Sequence, residues 1–320
     1  MLMLSFRYMP GFNVIESGKP GPIFVAPHST LTYCSAERED VGAENTAVAG
    51  VSAMGGSAII STIPRHGVLG IDYNRRVPKK AELAKDLGDI KGNDKLTSYY
   101  RNCAWIAENP LQDSYKKKIY SSFWKTVETM GKRHKRPFFV FCHTLSSRIK
   151  NLPSAVDLVT GRGAWIEKGK VERIAAKLNR KHDFSRYRED WILDMKFHAM
   201  MEKKILGRHF TSIKDSKGMR REWMLQDIEK ANSISGKKLD IKTIDFLEYY
   251  RAIEDVMKKS DIKITVENVY FGDTAKPVLP LLKRTNGSGL EVEAQSFLNE
   301  NHAEEVVSVI EGVVKEFHSG

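Results

Sequence analysis

The chain has 320 residues, 41% hydrophobic and 28% charged, with 51 Lys and Arg against 40 Asp and Glu for a net charge of +11. That balance supports a sizeable core and excludes a disordered or collagen-like chain. Cys34, Cys103 and Cys142 show no paired spacing and no CxxC, which excludes a disulfide scaffold and a zinc ribbon. The positive surplus attracts anions such as acidic small substrates, RNA or a membrane surface.

Residues 1–76 read as alternating strands and turns. "MLMLSFRYMPGF" holds too short an apolar run for a signal peptide, and no run reaches the ~18 residues of a membrane helix, so a cytoplasmic location is expected. "PIFVA" is a short buried strand that stops at Pro27-His28-Ser29, and Glu37, Glu39, Asp40 and Glu44 follow within twenty residues. "ENTAVAGVSAMGG" carries small and apolar residues at helical spacing and ends at a glycine pair. "SAIIST" predicts a second strand and "HGVLGID" a third.

Residues 77–136 are charged and helical in pattern, clearest in "YYRNCAWIAE" and "YKKKIYSSFWKTVETMGKRH". "RPFFVFCH" returns an apolar strand over 138–142 that also ends at a histidine, His143. Residues 165–260 are again helical and Lys-rich, with "REDWILDMKFHAMMEKKIL" and "TIDFLEYYRAIEDVMKK" amphipathic. "IKITVENVYF" and "GLEVEAQSF" restore sheet character, and "HAEEVVSVIEGVVKEF" is a final helix. With no internal repeat and no low-complexity linker, the simplest architecture is one α/β domain over 1–320. Helical insertions at about 77–136 and 165–260 interrupt it, and its sheet is mostly parallel and covered on both faces.

Ligands of open α/β sheets collect at the carboxyl ends of strands, where both His28 and His143 fall in this reading. Two imidazoles and one carboxylate make the protein ligand set of a catalytic zinc site, with a fourth position for water. In "IDYNRR", Asn74 and Arg75 offer an amide and a bidentate guanidinium that suit a substrate carboxylate, although a capped turn with a surface arginine reads the same way.

"APHS", "PRHGVLGIDYNR", "FVFCHTLSS", "VDLVTGRG" and "GLEVEAQ" stand in one order along the chain. Together they resemble the N-formylglutamate amidohydrolase family, over 20–76, 137–164 and about 262–300. The resemblance implies a three-layer α/β/α fold with a mostly parallel mixed sheet, of the zinc-peptidase-like (phosphorylase/hydrolase-like) kind shared with carboxypeptidases and aspartoacylases. It implies hydrolysis of an amide next to a carboxylate, with one zinc ion per chain. Carried over residue by residue, His28 and His143 resemble metal ligands, and Asn74 and Arg75 the carboxylate clamp. Arg65 resembles the group that polarises the scissile carbonyl or helps hold the carboxylate. Glu293 matches the catalytic glutamate, although Glu291 lies on the same strand face.

Carboxypeptidases place a glutamate ligand three residues after the first histidine, and here position 31 is Leu. "GAENTAVA" resembles a pattern in poly-γ-glutamate hydrolase relatives, which makes Glu44 the first choice for third ligand, ahead of Asp40 and then Glu37. A carboxylate opening a helix also suits its dipole. Thr144 and Leu145 depart from the family's Ser and Met, so the metal chemistry is better marked than formylglutamate itself.

The expected partner is a small anionic N-acyl amino acid. Two rival readings stand beside the amidohydrolase. One is a metallocarboxypeptidase acting on short peptides. The other is a basic RNA- or protein-binding scaffold, supported by Trp124, Trp191, Trp223, Tyr249 and Tyr250 among lysines. No RNP or GXXG signature accompanies those residues. A homo-oligomer is left open.

Overall fold

A computed structural model describes residues 4–29, 40–65, 70–78, 103–105, 110–205, 219–236, 238–240, 244 and 246–318. Glu37 and most of "YYRNCAWIAE" lie outside them.

Eight strands form one sheet: β1 (Ser5–Met9), β2 (Phe12–Glu16), β3 (Ile23–Ala26), β4 (Ser57–Ser61), β5 (Phe138–Leu145), β6 (Ser154–Val159), β7 (Lys263–Val266) and β8 (Ser288–Gln295). Their order across the sheet is β1-β2-β4-β3-β5-β8-β6-β7. The pairs β3/β4, β3/β5, β5/β8 and β6/β7 are parallel, while β1/β2, β2/β4 and β6/β8 are antiparallel. The sheet is therefore mixed and mostly parallel, and helices cover both faces to give three α/β/α layers.

The central strands are runs of β-branched and aromatic residues buried on both sides. Their period of two sends alternate side chains to two separate cores. Phe24, Ala26, Val140, Cys142, Leu290 and Val292 face one core. It is closed by α1 (Ala43–Met54), α3 (Lys168–Leu178), α9 (Ala303–His318) and the helices of the 165–260 block, α4 (Arg188–Ile205), α5 (Met219–Ser235) and α6 (Phe246–Lys259). Ile23, Val25, Phe139 and Phe141 face the other core, closed by α2 (Pro110–Gly131) and α7 (Val278–Thr285). A short α8 (Ser296–Asn301) follows β8 directly.

Helix α2 shows why a Lys-rich stretch is a core element. Ile119, Tyr120, Phe123, Trp124, Val127 and Met130 form its buried stripe, while Lys117 and Lys118 are exposed. Complete burial of one such aromatic is worth ~1.5–3 kcal/mol; Phe123→Ala, with the cavity it leaves, costs ~3–5 kcal/mol.

Two local expectations fail. Residues 103–105 are not helical: Cys103 makes an isolated parallel bridge with Arg76. Residues 70–72 of "HGVLGID" are not a strand; Ile71 and Asp72 enter a turn through backbone bonds from Ile71 N to Pro64 O (2.8 Å) and from Asp72 N to Ala104 O (2.7 Å). Among the described residues, no helix is long and apolar enough to cross a membrane.

Candidate metal centre

Strand order alone brings the two histidines together. Strands β3 and β5 are parallel neighbours, so their carboxyl ends lie side by side. His28 follows β3 by two residues, while His143 lies inside β5, two residues before its end. By strand parity His143 continues the face of Phe139 and Phe141, where the apolar stripe gives way to polar residues. The two imidazoles are buried, with ring centroids 5.1 Å apart.

The third member is Asp40. Its Oδ2 lies 3.2 Å from His28 Nδ1 and 2.5 Å from His143 Nδ1. Ligand atoms of His28, Asp40 and His143 all lie within 4.8 Å of one another, and all three residues are buried. Glu44, the first choice from sequence, does not join this group. The reason is local: Gly42 turns the chain at φ 86°, leaving Asp40 before the turn and Glu44 beyond it in the first turn of α1. A side chain at Gly42 would meet the backbone of Asn299 and Glu300 at 2.9 Å, so the close approach needs glycine as much as the φ does. Glu44 Oε2 is buried without a hydrogen-bond partner, and burial pushes that carboxyl up.

The far nitrogens of both imidazoles are held by one turn. His28 Nε2 lies 2.9 Å from Asp72 Oδ1, and His143 Nε2 lies 3.1 Å from Asn74 Nδ2. Asn74 N–H also donates to Asp72 Oδ1 at 2.9 Å. Helix α2 fixes the turn from behind: Trp124 Nε1 donates to Tyr73 O (3.0 Å), Tyr120 Oη donates to Arg75 O (2.7 Å), and Tyr73 stacks on Phe123 at 4.1 Å. His143 is held along its backbone as well. Asn299 Nδ2 donates to His143 O (3.0 Å) and Thr46 Oγ1 donates to Asn299 Oδ1 (2.6 Å).

Two arginines flank the turn. Arg65 Nε donates to Asp72 Oδ2 at 3.0 Å, and Arg75 Nε lies 3.6 Å from the same oxygen while its guanidinium donates to Thr274 O at 3.1 Å. Arg75 Nε has no hydrogen-bond partner although the residue is buried. On the other side, Glu293 pairs in register with His143 across β5/β8 and with Asp157 across β6/β8. Glu291 lies two residues earlier on the same face, and both glutamates are buried.

The charges follow from these neighbours. Burial opposes ionisation of Asp40, but its bonds to His143 and His28 outweigh burial and hold it well below the usual carboxylate range. Asp72 is likewise held low, with Arg65, His28 and Arg75 overcoming its burial. Glu293 is pushed well above the usual range by burial, then by Glu291, Asp40 and Asp157. Burial also raises Glu291, and the nearby Glu291 carboxyl adds to the burial that raises Glu293.

His28, His143, Arg65, Asn74, Arg75 and Glu293 all stand around this one centre. Sequence reasoning missed Asp72 as a histidine partner and Asn299 as a brace. It also missed Tyr270, a 42% exposed tyrosine in the loop after β7. Asp157 accepts from the backbone N–H groups of Asn268, Val269 and Tyr270 at 3.0, 2.8 and 3.3 Å, and so carries that loop to the site. No signal in "VENVYF" marks the tyrosine.

Fold and site define a three-layer α/β/α protein with a buried His–Asp–His cluster that can coordinate a metal ion. Compared with known protein families and with curated proteins, the chain matches none. A solved structure, the gene product Atu2144 from Agrobacterium tumefaciens, is similar over 97% of this chain and 95% of that chain, with 11% identity and a TM-score of 0.48. The fold assignment therefore rests on the sheet and its register.

Proposed function

We propose that the chain is a zinc-dependent amidohydrolase that cleaves the amide bond of a small N-acyl amino acid, of the N-formylglutamate kind. One observation carries the reading: two Nδ1 atoms and an acidic carboxylate oxygen converge at a buried point beside two arginines. Two imidazoles with one carboxylate are the donor set of catalytic zinc sites, and the low-lying Asp40 is in its ligating, deprotonated form. A zinc ion there, one per chain, supplies Lewis acidity and lowers the pKa of water toward ~7.

The chain's own residues do the rest. Glu293 accepts the proton of the attacking water and returns it to the leaving amine. A cation bound beside Glu293 would offset the burial and the neighbouring carboxylates, favouring the ionised form that accepts a proton. Arg75 and Asn74 hold the substrate carboxylate, so the acyl carbon meets the water in a productive pose. Arg65, tied to Asp72, is the group that would stabilise the charge developing on the carbonyl oxygen.

Metal analysis and a panel of N-acyl amino acids test the reading. The reconstituted chain should hold close to one zinc, lost in His143→Ala. Glu293→Gln should keep the zinc and lose at least ~10²-fold in kcat. A chain that takes up no metal after reconstitution ends the proposal; release of C-terminal residues from peptides, with no cleavage of N-acyl amino acids, makes it a carboxypeptidase instead.

A further inference from the structure

The 165–260 block reaches the metal centre through one side chain. Asp194, half-buried on α4, accepts at Oδ2 from two buried hydroxyls, Ser147 Oγ and Ser296 Oγ, the second at 2.6 Å. The two hydroxyl oxygens lie 3.1 Å apart. Ser147 comes just after β5, the strand of His143, and Ser296 opens α8, directly after Glu293 and the end of β8. The β5/β8 ladder runs only as far as Leu145 and Gln295. There the two chains part, one into a loop and the other into α8. Asp194 therefore bridges them where backbone pairing stops holding them.

Helix α8 carries the effect inward. With six residues it is too short to hold its direction alone, so what it packs against sets its course. Trp191 and Tyr187 lie with ring centroids 5.9 and 6.4 Å from Phe297, the residue after Ser296. Later in the same helix, Asn299 Nδ2 donates to His143 O at 3.0 Å and to Thr144 Oγ1 at 2.8 Å. A backbone carbonyl only accepts, which fixes the sense of that amide. Moving α8 at Ser296 thus moves the group that holds the His143 backbone.

We propose that Asp194 is a positioning residue: through Ser296 and α8 it sets Asn299, and through Asn299 the place of His143 beside Asp40. By this route the helical insertion is part of the metal site rather than an appendage to it. The effect on zinc rests on the metal-site reading above, while the seating of Asn299 stands without it. A second anchor of the same insertion serves as a comparison. Tyr249 Oη on α6 donates to Asp227 at 2.9 Å, and Asp227 grips Arg148 in the loop after β5 rather than α8.

Two measurements on the full-length chain test this. One is solvent exchange of the Asn299 side-chain amide, followed by ¹⁵N NMR of the metal-free protein; the other is zinc affinity by competition with a chromogenic chelator. Asp194→Ala should speed the exchange about tenfold, as a local opening made easier does. It should weaken zinc binding about 10-fold, the lower end of what groups behind metal-ligating histidines contribute. Ser296→Ala, which cuts only the link to α8, should move both readouts the same way, and it decides alone if Asp194→Ala fails to fold. Tyr249→Phe should lower Tm yet leave both readouts within about twofold of wild type. Asn299 exchange that is unchanged in Asp194→Ala and Ser296→Ala overturns the inference, as does an equal effect in Tyr249→Phe. Wild type that binds no zinc sinks the proposed function instead, and the metal-free exchange still decides the role of Asp194.

Discussion

Two buried charged clusters stand on either side of β5, and they are built in opposite ways. Beyond its carboxyl end, Arg148 meets Asp227 Oδ2 through Nε and a terminal nitrogen at 3.0 and 2.7 Å. Tyr249 Oη donates to the same oxygen at 2.9 Å, and Lys150 N–H donates to Oδ1 at 2.9 Å. Charges there balance and both oxygens are served, so the cluster clamps α5 and α6 to the loop after β5. The His28–Asp40–His143 centre is the reverse. It crowds Asp40, Glu291 and Glu293 together and leaves Asn74 Oδ1, Arg75 Nε and Glu44 Oε2 buried without hydrogen bonds. A cluster with every group satisfied holds a fold; one with like charges and polar atoms lacking hydrogen bonds marks a candidate functional site.

That contrast breaks most directly at Asp227. Asp227→Ala strands the Arg148 guanidinium and should cost ~3–5 kcal/mol in denaturant unfolding, with much of it recovered when Arg148→Met is added. A loss below about 1 kcal/mol would remove the structural role. At the other cluster, Glu293→Gln should lower the proposed hydrolysis at least ~10²-fold without lowering Tm at pH 8, so activity and stability separate.

The pH dependence of the metal-free chain sharpens the difference further. Asp40 and Asp72 sit low when folded, so the stability they add is complete above about pH 4 and is lost as pH falls through their folded values. Glu293 has the opposite sign. Its raised folded value favours the native state in acid, and that contribution is lost as pH rises above about 4.3 and through the folded value. Glu293→Gln should therefore raise Tm at pH 8 and leave it unchanged or lower at pH 4; an equal shift at both would deny the buried charge. The smallest effect is expected at Thr46→Val, which takes a donor from Asn299 and should cost about 1 kcal/mol by chemical denaturation.

Much of this was legible in advance where chemistry is local. The apolar runs at 23–26 and 138–142 announced strands, and the histidines beside their ends announced a site. The carboxylate that joins the two imidazoles was not legible as first choice, because Asp40 and Glu44 lie four residues apart in one acidic stretch and only the turn at Gly42 separates their directions. Asp72 drew no role from sequence, since its partner His28 is 44 residues away. "YYRNCAWIAE" has a helical pattern, yet Cys103 bridges to Arg76, a pairing no local preference could express.

Sequence by itself determined the periodicities, and through them the strands, most of the helices and the residue types present at the strand ends, because those depend on neighbours in the chain. Only the tertiary structure decided which carboxylate meets the two imidazoles and which groups hold their far nitrogens. Those choices depend on strand order, and on a turn pinned by α2, where residues 44 and 69 positions apart come within hydrogen-bonding distance.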